Sequence, residues 1–308
     1  MPAPSSTDHL TAVIGFTLPP NRMDHDPSIY LKWEPGRSKP LEKIRVPITD
    51  LRPELESSTV GPLDQLKKRG YGIMKHHSPY LGEIPSAEGT EKYLRECEGI
   101  LQSVLQCDKV IAWNSVCRKN DPNEKEKKVE KQKGPEKGFI PTERVQPIAG
   151  VAHVDQNAEW GYELCGKAAE EDMSKYSRCQ IVNIWRPLHG KSPICFRLYT
   201  LKGPVTNAPL AMVDPTTLRP EDIGTHASQY GFGHDLHHSP NQEWAYIRHQ
   251  MPDEIILLKC YDSDQGKNGE VLWCGHVAVQ VDGDAEGIPE ELVRNRESIE
   301  VRLVALWE

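Results

Sequence analysis

Beyond about residue 145 the chain is written in short apolar runs: VAHVD, CQIVNIWRPL, PICFRLY, PLAMVD, EIILLKCYD, EVLWCGHVAVQV and SIEVRLVALW. Turn residues separate them, so each reads as a strand, and no helical period of comparable strength competes. Seven strands at irregular spacing predict a sandwich or barrel. With 23 Gly and 25 Pro in 308 residues the chain must turn often, which excludes a helical bundle.

The first 144 residues have a different texture. Thr11–Leu18, Lys43–Leu51, Tyr71–His76 and Asp108–Arg118 read as strands, and Leu63–Arg69 as a short helix. From Thr90 to Leu105 the residues Tyr93, Leu94, Cys97, Ile100, Leu101, Val104 and Leu105 recur at helical spacing, which predicts an amphipathic helix. Residues 119–137 are almost wholly Lys, Glu, Asn, Asp, Gln and Pro and read as a disordered, solvated loop. The expected organisation is a helix-bearing cap over residues 1–144, lending strands to a catalytic β core over 145–308. The fold class is mainly β with flanking helices (α+β).

A net charge of −8, with acidic residues interrupting every lysine run, argues against nucleic acid as a partner. No stretch approaches the ~20 apolar residues of a membrane span. Leu10–Phe16 has no basic residues before it and does not read as a signal peptide. None of the eight cysteines shows CxxC spacing, so they read as reduced thiols of a cytoplasmic protein.

The chemistry concentrates in AGVAHVDQNAEW. His153 and Asp155 stand two apart in a strand-like run, and on a strand such residues share a face. An imidazole and a carboxylate side by side suit a facial iron site, which needs a third ligand from elsewhere. His276, in the apolar run LWCGHVAV, is the best placed. Two histidines and one carboxylate leave three positions for O2 and a chelating cosubstrate. Further on, Arg296, Ser298, Glu300 and Arg302 share one strand face, while Ile299, Val301, Leu303, Ala305 and Trp307 share the other. The planar fork of an arginine matches a carboxylate, and a serine hydroxyl adds a donor. Arg296 with Ser298, and Arg302 as the competing arginine, are the candidate cosubstrate contacts.

Asn183, Arg186 and Tyr261 are the candidate substrate contacts. Arg186 takes the opposite face of its strand from Asn183 and Trp185 and needs an anion or carbonyl there, which could also be structural. GFGHDLHHSP, with His234, Asp235, His237 and His238, reads as a mobile loop and a candidate lid. Asp214 is expected to cap the turn at Pro215.

An HxD pair, a distal histidine and a following R-x-S resemble the double-stranded β-helix (jelly-roll, cupin-like) oxygenases. More closely, HVDQN, IVNIWRPL, PLAMVD, DEIILLKCYDSD and RESIEVR resemble the asaB hydroxylase/desaturase family, which includes the gibberellin desaturase and the cephem 7-methoxylase component. The resemblance spans about residues 45–305, and its most specific pieces are NIWRPL (Asn183–Leu188) and SIEVR (Ser298–Arg302). It implies Fe(II), 2-oxoglutarate and O2 as cofactors, and hydroxylation, desaturation or oxidative ring formation on a small-molecule substrate of secondary metabolism. The chain departs from the family at Gly275-His276-Val277-Ala278-Val279, where Thr and Phe are usual after the histidine, and in the longer span from His276 to Arg296. Two rivals stand beside this reading: an iron oxidase that needs no 2-oxoglutarate, and a non-catalytic β-barrel subunit working with a partner enzyme. The sequence leaves oligomeric state open.

Overall fold

A computed structural model describes residues 10–308 apart from 85, 121–133, 135–137, 141–144, 189–203, 229–230, 291–292 and 294. In chain order its elements are β1 (Thr11–Thr17), β2 (Leu41–Asp50), α1 (Arg52–Ser57), α2 (Pro62–Arg69), β3 (Tyr71–Lys75), α3 (Ala87–Leu105), β4 (Lys109–Lys119), β5 (His153–Val154) and α4 (Ala158–Ala169). They continue with β6 (Arg178–Pro187), β7 (Leu210–Val213), β8 (Ile223–Ser228), β9 (Gly231–Leu236), β10 (Trp244–Tyr246), β11 (Glu254–Asp262), β12 (His276–Ala278), β13 (Gln280–Val281) and β14 (Glu297–Trp307).

Two sheets form, a nine-stranded one ordered β13-β1-β2-β10-β7-β12-β5-β9-β8 and a five-stranded one ordered β3-β11-β6-β14-β4. Strands from the first 120 residues enter both. All pairings between named strands are antiparallel except β10 with β2. Between the sheets lies a core of Trp185, Leu210, Met212, Ile256, Leu258 and Cys274. Behind the five-stranded sheet, α3 lays Tyr93, Leu94, Cys97 and Leu101 on Val182, Ile184, Ile299, Val301 and Leu303. Ser86 caps that helix by accepting from the Gly89 amide at 3.1 Å, worth about 1 kcal/mol. Its buried leucines contribute more, roughly 1.5–3 kcal/mol each. A third cluster packs Ile14, Phe16, Val46 and Ile48 of β1 and β2 against Ala211, Val213 and Val277.

The alternation read along β14 holds. Ile299, Val301, Leu303 and Ala305 join the helix-side core, while Arg296, Ser298 and Glu300 are buried on the opposite face. Three expectations are corrected. First, the second half does carry a helix, α4, capped by Asn157 accepting from the Trp160 amide at 2.9 Å. Gly161 lets it approach β11 closely, since a Cβ there would lie 2.4 Å from the Tyr261 ring. Second, GFGHDL is not a mobile loop but β9, paired with β8 and with β5. Third, EVLWCGHVAVQV splits into β12 and β13. The run PICFRLY and most of the charged 119–137 segment lie outside the described residues. Lys119 itself ends β4. Asp214 caps as expected, accepting from the Thr216 amide at 2.9 Å. Among the described residues no helix is long and apolar enough to cross a membrane.

Candidate metal centre and anion pocket

The nine-stranded sheet brings the two histidines together. His276 of β12 sits directly opposite His153 of β5, and their ring centroids are 4.7 Å apart. Asp155 lies one residue past the end of β5, at the bend leading into α4. Its Oδ1 is 3.3 Å from His153 Nε2 and 3.9 Å from His276 Nε2. One ligand atom from each residue falls within 4.8 Å of the others. One face of an octahedron with metal–ligand bonds near 2.1 Å has edges of about 3 Å, so the 3.3 Å edge is close to that size and the 3.9 Å edge would contract around an ion.

The imidazoles are presented for ligation. His153 Nδ1 contacts the Val151 carbonyl at 2.7 Å, and His276 Nδ1 contacts the Cys274 carbonyl at 3.3 Å. A carbonyl can only accept, so each Nδ1 carries the proton. Without a metal, burial would lower His153 but the Asp155 carboxylate facing its Nε2 raises it, and a metal taken up at Nε2 would displace that proton. Burial and the neighbouring His153 push His276 down, favouring its neutral form. Burial would raise Asp155, but the hydrogen bond from His153 and the charges of Arg302 and His276 hold it well below the usual carboxylate range. An ionised carboxylate and a neutral imidazole are the forms a divalent ion takes up. The donor set therefore fits iron(II), with no thiolate in the triad to favour a softer metal.

The five-stranded sheet brings charge. Arg296 is 3 % exposed, lies over the Trp185 ring at 5.1 Å, and donates to the Ala208 carbonyl at 2.7 Å and weakly to Ser298 Oγ at 3.3 Å. Among the described residues it has no carboxylate partner in contact. Burial, then the nearby Arg118, push it down to about 9, with Glu300 opposing. Arg118 stands opposite Ser298 in the β4–β14 register and donates to the Pro147 carbonyl at 2.9 Å. Arg118, His153, Trp185, His276, Arg296 and Glu300 line a space of about 10 Å³, enough for one water-sized sphere. Ala278 joins it to a cleft of about 740 Å³ lined by Gly15, Lys43, Asn120, Asn207 and Gln280 among others, within the range of small-molecule sites.

The other candidates fall elsewhere. Asn183 does not face the cleft. Its Nδ2 donates to Asp155 Oδ2 at 2.8 Å and to Glu300 Oε1 at 3.0 Å. Arg302 is not a second cavity arginine, because it donates to Glu300 at 3.0 Å and to Asn114 at 3.3 Å. Arg186 is fully buried on the helix side, donating to Tyr93 Oη, the His76 and Pro252 carbonyls and His76 Nδ1 at 2.7–2.8 Å. It is a packing residue, its acceptors being carbonyls, a hydroxyl and an imidazole nitrogen. Tyr261 packs under α4 with Leu164 and Cys165 and lines neither space. A bulge between Lys259 and Tyr261 turns it there and leaves Cys260 near the triad. His234 and His238 join no metal group among the described residues. Sequence reading missed Arg118 and Glu300 as site residues, and only strand register brings them there.

Fold and donor set together define a double-stranded β-helix protein with a two-histidine, one-carboxylate face. A family model described as an oxidoreductase/YMDC permease-like domain matches residues 19–306, and the chain belongs to that family. The chain is 33% identical over 147 residues to aspirochlorine biosynthesis protein N of Aspergillus oryzae, covering 45% of this chain and 52% of that one. It is 27% identical over 271 residues to the Fe(II)/2-oxoglutarate-dependent dioxygenase nvfI of Aspergillus novofumigatus, covering 84% and 81%. It is 31% identical over 119 residues to hydroxylase/desaturase asaB of Aspergillus flavus, covering 32% and 46%. In the first and third of these matches the chain spans about half the length of its relative. Its fold is that of the iron and alpha-ketoglutarate-dependent endoperoxidase NvfI, with TM-score 0.65 at 23% identity over 96% of this chain and 97% of that one. The resemblance to asaB-type hydroxylase/desaturases is borne out.

Proposed function

We propose that this protein is an Fe(II)/2-oxoglutarate-dependent oxygenase that hydroxylates, desaturates or oxidatively cyclises a small molecule of secondary metabolism. The observation that carries this reading is a triad of donors beside a buried arginine that has no carboxylate partner among the described residues. His153, Asp155 and His276 hold the metal, and Arg296 with Ser298 takes the distal carboxylate of the cosubstrate. Activation of O2 with loss of carbon dioxide, and removal of a substrate hydrogen, are the chemistry that iron(II) and 2-oxoglutarate supply when bound.

The chain's residues bind, orient and exclude water. A five-carbon diacid exceeds the 10 Å³ beside the triad, so its binding requires Arg296 to exchange the neutral Ala208 carbonyl for a carboxylate. That exchange favours the charged pair, since charge-assisted hydrogen bonds are roughly twice as strong as neutral ones. Arg118 adds positive charge to the same wall. Trp185 shields the face of Arg296 from water and holds it level. The substrate lies in the larger cleft and reaches the triad past Ala278. A cytoplasmic location belongs to the same reading, supported by seven free, buried thiols among the described residues.

The test is an anaerobic titration of the protein with Fe(II), with and without 2-oxoglutarate, watched for the weak visible charge-transfer band. The band should appear only with both present and be lost in Asp155→Ala. A parent protein that gives no band, or an Asp155→Ala variant with full metal retention and turnover, would sink the assignment.

A further inference from the structure

Asp155 has two oxygens, and the structure treats them differently. Oδ1 faces both histidine Nε2 atoms, at 3.3 and 3.9 Å. Oδ2 is turned away, accepting from Asn183 Nδ2 at 2.8 Å, with the Cys260 thiol at 3.9 Å on another side. Asn183 is fully buried at the middle of β6. The same nitrogen donates to Glu300 Oε1 at 3.0 Å. Glu300 is fixed in turn by Arg302 at 3.0 Å, and Arg302 by Asn114 Oδ1 at 3.3 Å. Rotating the amide would aim its oxygen at two carboxylates, so the network admits one orientation. Asn183 Oδ1 is buried with no hydrogen-bond partner among the described residues. The site thus tolerates an unsatisfied acceptor in order to aim a donor at Asp155, and a spacer residue would not need that arrangement.

We propose that Asn183 is a positioning residue that keeps Asp155 a one-oxygen ligand, so that the metal retains three free positions. A carboxylate whose second oxygen is free can swing to bind a metal through both. Such a swing would fill a position that a chelating cosubstrate and dioxygen together require. By occupying Oδ2, Asn183 excludes that mode, and Glu300 with Arg302 holds the amide in place. Glu300 acts through Asn183 and touches no triad atom within hydrogen-bond distance. This inference rests on the iron reading above.

The experiment uses cobalt(II) alone as the probe and does not depend on turnover. The visible spectrum of cobalt responds to the number and geometry of all the ligand atoms around it, water included, so a carboxylate that changes from one-oxygen to two-oxygen binding distorts the shell and shifts the bands. Asn183→Leu keeps the branched shape at a larger volume and removes the donor. Cobalt affinity should fall about 10- to 100-fold, and the bands should shift away from the parent's as Asp155 takes both positions. Asn183→Ser, small enough to be accommodated where Leu is not, cannot span both carboxylates and should change the spectrum in the same direction. Glu300→Gln retains an acceptor for the amide and should keep the parent spectrum. Parent affinity and parent spectrum in whichever Asn183 variant folds would overturn the proposal while leaving the metal site standing. Failure of the parent chain to bind cobalt would overturn the metal site itself.

Discussion

Replacing Arg296 with lysine separates the two arginines that the sequence offered for the cosubstrate. In the free protein Arg296 uses Nη1 on the Ala208 carbonyl and Nε on Ser298, with its plane over Trp185. A lysine reaches the same wall with one charged nitrogen, loses the fork and loses the stacking. At least one charge-assisted hydrogen bond to the carboxylate disappears, worth about 1.5–3 kcal/mol. That corresponds to roughly a 10- to 150-fold rise in the 2-oxoglutarate dissociation constant. Fe(II) affinity should stay within about twofold, because Arg296 makes no hydrogen bond to the triad. Arg302→Lys should do the opposite. It loosens Glu300 and Asn183 behind Asp155 and should weaken metal binding with little effect on the cosubstrate. The assay is anaerobic titration of Fe(II)-loaded protein with 2-oxoglutarate. If Arg302→Lys shows the large rise and Arg296→Lys matches the parent, the carboxylate subsite lies deeper between the sheets and the reasoning fails.

Arg186→Met should leave metal affinity unchanged and cost at least ~2 kcal/mol in urea unfolding, since it strands the buried Tyr93 and Pro252 acceptors and the part-buried ones of His76; an unchanged midpoint would show that water replaces the guanidinium. Asp262 is almost fully buried, and although burial alone would raise it, Arg178 and Lys259 hold it below the usual range. Its folded pKa is depressed, so its stabilisation is complete above the unfolded value of about 3.9 and is lost as pH falls through the folded value. The melting-temperature gap between parent and Asp262→Asn should therefore be constant from pH 7 to about 5 and shrink below about 4; a gap that widens on acidification would contradict the sign.

What was legible in the sequence follows from period. β14 announces both its faces because polar and apolar residues alternate without a break from Ser298 to Leu303. The helix α3 is equally plain, its apolar stripe running from Tyr93 to Leu105. The triad was readable because two of its members are neighbours and the third stands in an apolar run. By contrast, α4 is short and interrupted by Gly161 and Gly166, and its one available signal, Asn157 as a cap, sits inside the metal motif. β9 looked like a loop because glycine and histidine have low strand propensity. It is held by backbone pairing to β5, which individual residues do not show. Arg118 ended a correctly expected strand, yet nothing local ties it to Ser298, 180 positions on. Only the register does. Arg186 was noticed for the right reason, a charged side chain inside an apolar strand, and Asn183 as a residue of that strand's other face. Which partner satisfies each depends on whether α3 or the triad lies on that side of the sheet.

The division of labour between the sheets bears on why the site needs an anion. The metal donors come from the nine-stranded sheet and its exit into α4, while Arg118, Arg296, Glu300 and Arg302 come from the five-stranded sheet. Arg296 and Arg302 are matched in number by two carboxylates, Asp155 and Glu300, so these four groups carry no net charge. A divalent ion at the triad adds two positive charges in a space with little water to screen them. A dianion that reaches from the triad to Arg296 offsets that excess and bridges the two sheets. A monoanion or a neutral chelator would leave the wall more positively charged. Glu300 cannot substitute for the dianion, because Arg302 and Asn183 already hold it. Metal and cosubstrate should therefore bind with positive coupling. Each lowers the electrostatic cost of the other, and the same free energy must appear in the metal affinity with cosubstrate present and in the cosubstrate affinity with metal present.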